Sequence, residues 1–356
     1  MKKQKMISTI MIAVFVIVCA LGISIVMLLI AHKDVGLAFS KLAQGAVGNK
    51  MNFARTVRMM APLIMMALTF SVALRGQMFN AGGQGQFYLG AVCATAVSLL
   101  FPSLPGWLLI VLGLIAGMAG GMLWALIPAV LKVRFRCSEV VTTLMFNYIA
   151  VYFTEFLVRV PFYVPGAVGE SGSTANIPEG VSLTTLVKGS ELTTEIIFAL
   201  VVTGIVWYWS RWTVSGYETE VVGVNPVAAR YTGVNVKNRQ LLAMAISGAI
   251  AGAGGALEII GVFHRFVIDF APSVGFDGIV ISLMAGNSFP LIPVAAFFLS
   301  CLQSGAKTME MFGKVPRSLV DVMIGVIIVV VTVKKLPFVT KGTKKAIKES
   351  KENEKS

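Results

Sequence analysis

Four polar residues lie within or beside apolar runs that are otherwise nearly free of charge. Asn80 and Gln84 stand in NAGGQGQ, residues 80–86, Asn147 sits in the middle of the apolar run 139–158, and Asp277 belongs to PSVGFDG, residues 272–278. An ionised side chain at the centre of a membrane helix costs about 2.5 kcal/mol or more, so such groups imply a partner. The partner is either a backbone group freed by a helix break or a polar solute in transit. Gly82, Gly83 and Gly85 supply such a break, and Gly275 and Gly278 flank Asp277 with a second. Unpaired backbone is tolerated at membrane depth only where it lines a cavity or is satisfied by protein. Phe79, Phe146 and Phe276 adjoin Asn80, Asn147 and Asp277 in sequence. They offer flat apolar surface, although helix neighbours point about 100° apart. The chemistry on offer is hydrogen bonding and stacking. No nucleophile, base and orienting group come together to make or break a bond.

Other chemistries fail on spacing. Gly83-x-Gly85 lacks the strand and the acidic residue that a dinucleotide-binding loop needs, and no GxxxxGK[ST] phosphate loop occurs, so ATP would have to be bound by another chain. Cys19, Cys93, Cys137 and Cys301 form no CxxC pair and have no neighbouring His, which argues against a disulfide framework, a metal site or a resident cofactor. His32 and His264 lie far apart. Glu139, Glu155 and Glu258 fall near the ends of apolar runs, where interfacial water accounts for them, and Asp321 lies near the start of the last run. The net charge of +13 is spread over the ends of apolar segments and forms no soluble basic domain with aromatic platforms, so nucleic acid is not the partner.

The elements that must position these residues are membrane spans. Of 356 residues 56% are hydrophobic and 13% charged, with mean hydropathy +0.81; soluble domains carry about 25% charged residues. The fold class is an all-α integral membrane protein. Apolar runs at 6–31, 57–74, 87–101, 106–131, 139–158, 192–211, 240–260, 276–287, 289–306 and 318–333 predict ten spans in a domain covering 1–333. The eighth and ninth are short enough to be half-helices. The first run is too long for a signal-peptide core and reads as a retained span. Basic residues then gather on the side holding both termini, KVRFR and the 213–238 segment, which the positive-inside rule makes cytoplasmic. The basic outer segment 32–58 weakens the bias. The Pro- and Gly-containing loop 159–191 faces outward, and 334–356 is a basic cytoplasmic tail at the membrane surface. Spans 2–5 and 7–10, each with a Gly-rich break, hint at an inverted repeat. Gly113, Gly117 and Gly121, with Gly248 and Gly252, supply GxxxG faces for close helix packing.

One polar interruption carries its own punctuation. In YETEVVGVNPVAARYTGVNV, residues 217–236, Asn225 is an N-cap, Pro226 suits the first helical position and Gly233 the C′ position. A helix over 227–232 is too short to persist alone in water. It must dock, either on the chain's own cytoplasmic face or into a partner that pushes on the membrane domain.

This stretch resembles the cytoplasmic coupling loop of ABC-importer permeases. The likeness continues through FNAGGQGQFYLGA, SEVVTTLMFNYIAVY and GFDGIVISLMAGNSFPLIPVAAFF, four blocks in order between about residues 55 and 333. Together they resemble the branched-chain amino acid/simple-sugar permease superfamily in its nucleoside and simple-sugar branch. Gln84 stands where that family commonly has Glu, and Glu220 where it usually has a basic residue.

The resemblance implies the architecture of a type II ABC-importer-like permease in the plasma or inner membrane, a non-enzymatic subunit importing nucleosides. It implies a separate ABC ATPase that binds the ATP and meets a surface including Glu220, Gly223, Asn225, Pro226, Ala229, Arg230 and Gly233. It further implies a second, related permease as heterodimer partner and an extracytoplasmic substrate-binding lipoprotein, with membrane lipids around the spans. Phe79, Asn80, Gln84, Phe146, Asn147, Phe276 and Asp277 are the candidates to line the substrate path. A simple-sugar permease and an ion-coupled secondary transporter using Asp277 are the alternatives.

Overall fold

The computed structural model describes residues 22–162, 172–313 and 315–333. The first part of the predicted span 6–31, residues 163–171 of the 159–191 loop and the tail 334–356 lie outside the described residues. The chain divides into two compact units, one formed by its two ends, to Phe53 and from Phe298, and the other by Ala54–Phe297.

The terminal unit contains a helix at 22–30, here α1, then α2 (Val35–Val47), the distal part of α12 (Ile292–Gly313) and α13 (Arg317–Val333). Asp34 caps α2 by accepting from the Leu37 amide at 2.9 Å. Leu28, Ala38, Met309, Val320 and Met323 share a buried apolar cluster, and Ser304 Oγ donates to the Gly45 carbonyl at 3.1 Å. The segment 32–58, read from sequence as an outer segment, is largely helical: α2 fills residues 35–47, and α3 (Lys50–Arg75) begins seven residues before the predicted start of the second span.

The central unit is built on α3, α4 (Gly83–Leu100), α5 (Gly106–Phe135), α6 (Glu139–Arg159), α7 (Glu195–Trp212), α8 (Val214–Val224), α9 (Pro226–Tyr231), α10 (Val236–Glu258) and α11 (Val274–Ala285). A π-turn at Ile259–Phe263 extends α10. Its tightest packing joins α5, α4 and α10. Side chains there are small because backbones touch: a Cβ on Gly252 would overlap the Gly117 carbonyl and crowd Gly121, and one on Gly248 would overlap the Gly121 carbonyl. Gly113 is less tightly enclosed, with Ile260 and Ala94 at ordinary contact distance. The outward faces of α5 and α6 expose Val111, Ile115, Leu123, Tyr148, Tyr152 and Phe156, as expected of helices bathed in lipid or covered by another membrane subunit.

Five described helical segments are long and apolar enough to cross a bilayer: Lys50–Arg75, Gly106–Phe135, Glu139–Arg159, Val236–Phe263 and Phe289–Gly313. The pair α7 and α8, bent by 78° at Thr213, makes up to six. The 12 residues of α11 rise about 18 Å, short of the ~30 Å hydrocarbon core. It has the length of a half-helix. The ninth predicted span does not, since the 3₁₀ turn Phe289–Leu291 runs into α12 to give 25 residues.

Candidate functional site

Between α3 and α4 the chain leaves the helix at Gly76 and re-enters it at Gly83. Groups released by that break are met by two carboxamides and a hydroxyl. Asn147 of α6 donates through Nδ2 to the Ala81 carbonyl at 2.6 Å, and its Oδ1 accepts from the Gly85 amide at 2.8 Å. Asn80 Oδ1 accepts from the Gly82 amide and from Gln86 Nε2, both at 3.0 Å, while Asn80 Nδ2 donates to Gln86 Oε1 at 2.9 Å and Ser247 Oγ at 2.8 Å. Thr143 Oγ1 accepts from the Ala81 amide at 3.3 Å. Asn80, Gln86 and Asn147 are all buried. Gly85 is required for the approach, because a Cβ there would lie 2.8 Å from the Ala150 Cβ and 3.2 Å from the Asn147 Cα.

A second non-helical passage, residues 264–273, follows the π-turn and meets the first at Gln84. Gln84 Nε2 donates to the Pro272 carbonyl at 2.6 Å and the Ala271 carbonyl at 3.3 Å, and Gly275 packs against the Gln84 backbone. Tyr88 OH donates to Asp269 Oδ1 at 3.2 Å and accepts from the Ala271 amide at 3.3 Å. The first of the two passages is thus braced by side chains of α6 and α10, and the second by side chains of α4.

The predicted path residues separate into groups. Asn80, Gln84 and Asn147 are brought to the junction, where Gln84 and Asn147 are spent on backbone and Asn80 is shared between the Gly82 amide and the side chains of Gln86 and Ser247. Asp277, one turn into α11, accepts from Ser273 Oγ at 3.0 Å, and Phe276 beside it is 51% exposed. Phe79 packs edge-on against Phe70, with ring centroids 5.0 Å apart. Phe146 turns away onto Trp124 at 5.4 Å. Sequence reasoning missed Tyr88 and the rings of Phe87, Phe263, Phe266 and Phe270 that meet at the same junction. The only available signal was the aromatic density of FYLG and FHRFVIDF.

The carboxylates read as interfacial need a partial correction. Glu139 pairs with Lys132 at 2.6 Å and Glu155 with Arg159 at 2.8 Å. Glu258 is buried and held by Arg58 Nη2 at 3.0 Å, so a guanidinium and not water balances it. Glu195, 1% exposed, was not singled out from sequence, and neither of its carboxyl oxygens has a hydrogen-bond partner among the described residues.

The 217–236 stretch contains more helix than expected, since α8 fills residues 214–224 ahead of the short α9. Asn225 Oδ1 accepts from the Val227 and Ala228 amides at 3.0 and 3.1 Å, Pro226 opens α9, and Gly233 has φ +83°. Ala229 is buried among Val222, Val236, Val221 and Val234, whereas Arg230 and Tyr231, the latter 89% exposed, face away. Docking of α8 rests on two ion pairs. Glu220 meets Arg75 at 3.0 Å, and Glu218 meets Arg239 of α10. Gly223 packs against the Arg75 carbonyl. The Arg75 guanidinium also donates to Ser210 Oγ at 3.1 Å and the Asn287 carbonyl at 3.3 Å, and lies 4.8 Å from the Phe289 ring centroid.

These features define a multi-pass helical membrane protein with two broken passages that meet at Gln84 and a capped, side-chain-docked helix pair. The description branched-chain amino acid transport system / permease component matches residues 52–332, and the chain belongs to that family. It is 32% identical over 333 residues to the guanosine ABC transporter permease protein NupP of Bacillus subtilis (strain 168), covering 92% of this chain and 94% of that one. It is 33% identical to the nucleoside ABC transporter permease protein NupB of Lactococcus lactis subsp. cremoris (strain MG1363), covering 93% of each. The glucose ABC transporter permease protein TsgB13 of Haloferax volcanii is 29% identical over 88% of this chain and 85% of its own. Each of the first two bacteria has a further matching permease protein, NupQ and NupC, both 28% identical over 68% of this chain.

Substitution of Asn147 by Leu separates bracing of the break from a role in solute contact alone. It would leave the Ala81 carbonyl and Gly85 amide buried and unpaired, at about 1–3 kcal/mol each. The purified protein should melt roughly 3–8 °C lower. An unchanged melting temperature with transport lost would mean that Asn147 serves the solute and not the fold.

Proposed function

We propose that this chain is the membrane-spanning permease subunit of an ATP-driven ABC importer for nucleosides. The observation that carries the reading is the near-full-length similarity to two permeases named for guanosine and nucleoside transport. A simple-sugar substrate is the second reading, and the glucose permease relative favours it.

In this reading ATP is bound and hydrolysed by a separate ATPase, which meets the membrane domain at α8 and α9. The short helix α9 suits that contact because its cap residues hold it rigid and Ala229 anchors its inner face. Glu220, Gly223, Asn225, Pro226, Arg230 and Gly233 shape or present the surface. A push there enters the bundle through Glu220 and Arg75 at the end of α3, next to the first break. The second permease is a related but distinct chain, a pairing suggested by the two matching permeases in each relative's bacterium. A substrate-binding lipoprotein delivers solute to the outer face, which includes the loop 159–191. In this reading the chain passes through the plasma or inner membrane ten times as an inverted repeat, the eighth passage made by the half-length α11 together with non-helical backbone, with both termini and the 217–236 stretch in the cytoplasm. Helical residues occur in each of the ten predicted apolar runs, which is compatible with that count.

Uptake in cells lacking and regaining this chain tests the substrate. Labelled guanosine or uridine uptake should return with the chain and be reduced at least tenfold by excess unlabelled nucleoside but not by ribose. Equal competition by ribose would move the assignment to simple sugars.

Gly233→Val tests the coupling role. Valine at positive φ carries strain of about 1–3 kcal/mol, and no neighbouring atom obstructs the side chain, so the damage is confined to the end of α9. The variant should insert and assemble normally, while ATPase stimulation by loaded binding protein and uptake fall at least tenfold. Wild-type uptake by an inserted Gly233→Val protein would contradict coupling through this helix.

A further inference from the structure

The ring of Phe270 sits among four others. It is stacked on Tyr88 at 5.1 Å and 28° and on Phe87 at 5.7 Å and 25°, and meets Phe263 at 5.1 Å and Phe266 at 5.4 Å edge-on. Phe87, Tyr88 and Phe266 are fully buried, whereas Phe270 and Phe263 are partly open. Phe270 is carried on neither helix nor strand. Its segment includes Asp269, a non-glycine residue at φ +57°, and His264 at φ +52°, conformations that persist only when surrounding contacts impose them. Those contacts are few and specific. Tyr88 OH bonds Asp269 and the Ala271 amide, Gln84 Nε2 bonds the carbonyls of Ala271 and Pro272, and residues 172–177 pair with 264–268.

Flat rings, one amide donor and one phenol that can both give and accept a hydrogen bond make a recognition set for a planar heterocycle with polar edges. Here that set is occupied by the chain's own residues 269–272: the phenyl ring takes the stacking position, peptide groups take Gln84 and one bond of the phenol, and the Asp269 carboxylate takes the other. We infer that the cage of Phe87, Tyr88, Phe263 and Phe266 is a nucleobase subsite, and that Phe270 fills it as an internal stand-in which the base displaces. The inference deepens the nucleoside reading and rests on it. Base-on-aromatic stacking tolerates different bases because each has a π-face, so the subsite accepts purines and pyrimidines alike. Gln84 and the Tyr88 hydroxyl then set the orientation of the bound base.

The test is equilibrium binding of tritiated guanosine, uridine and ribose to the purified, fully assembled transporter without its binding protein. Phe270→Ala removes the internal competitor and should tighten guanosine and uridine at least tenfold, with no gain for ribose. Adding Phe87→Ala to that variant should abolish the gain, and adding Tyr88→Phe, which keeps the ring, should retain part of it. If Phe270→Ala fails to assemble, Phe270→Leu replaces it, with an expected gain of about threefold. No gain in an assembled variant overturns the subsite, and so does an equal gain for ribose, which would signal a generally loosened protein. A wild-type transporter that carries pentose but no nucleoside in the uptake panel overturns both this subsite and the nucleoside reading. Nucleoside uptake combined with no gain overturns the subsite alone.

Discussion

The constraint on which the central unit depends is that a peptide group at membrane depth has no water to bond to. The break between α3 and α4 releases such groups, and the carboxamide of Asn147 answers two of them at once, one as donor and one as acceptor. Asn80 closes the turn from within and anchors it to Ser247 of α10, whose hydroxyl in turn donates to the Thr69 carbonyl at 2.7 Å. Because the break is satisfied by protein, α4 can begin deep in the bundle. Its glycines then lie against α3, α6 and α10, and Gln84 and Tyr88 face the second passage. Loss of the amide bracing would disturb both passages, since the first positions the side chains that hold the second.

Arg75 stands where this arrangement meets the helix pair α8 and α9. It closes α3, immediately before the first break, and its guanidinium reaches α7, α8 and the turn after α11. One cation thereby ties the docked helix pair to the ends of elements that border both passages. A displacement of α8 has a direct route to the end of α3, carried by an ion pair and by backbone contact at Gly223. Glu220 is the side chain that completes this link.

How much was legible from sequence depended on how local the determining interaction is. Asn225, Pro226 and Gly233 obey rules that act within a few residues, and the cap, the first turn and the positive φ of α9 could be read directly. The helix α8 was missed because YETEVV looks like a polar link; its Thr213 cap is local, but the ion pairs to Arg75 and Arg239 and the burial of Thr219 and Val222 that dock it are tertiary. Asn80, Gln84 and Asn147 were conspicuous as polar groups in apolar surroundings, yet their partners are set by tertiary structure. Asn147 bonds a carbonyl 66 positions away and Gln84 one 188 away. The cage around Phe270 was invisible for the same reason, and Glu258 was assigned to water because Arg58 is 200 residues distant. The span count was least legible where apolar runs are short, as at α11, whose length and not its composition sets it apart from its neighbours.

The central claim is that solute passes where the two broken passages meet, beside Gln84 and Tyr88. Photolabelling tests it most directly, using an azido-purine nucleoside that competes for uptake, irradiated with the assembled transporter and mapped by peptide mass spectrometry. The account predicts adducts within residues 79–91 and 263–278, suppressed by excess unlabelled nucleoside. Competable adducts confined to the lipid-facing residues of α5 and α6, with none at the junction, would contradict it.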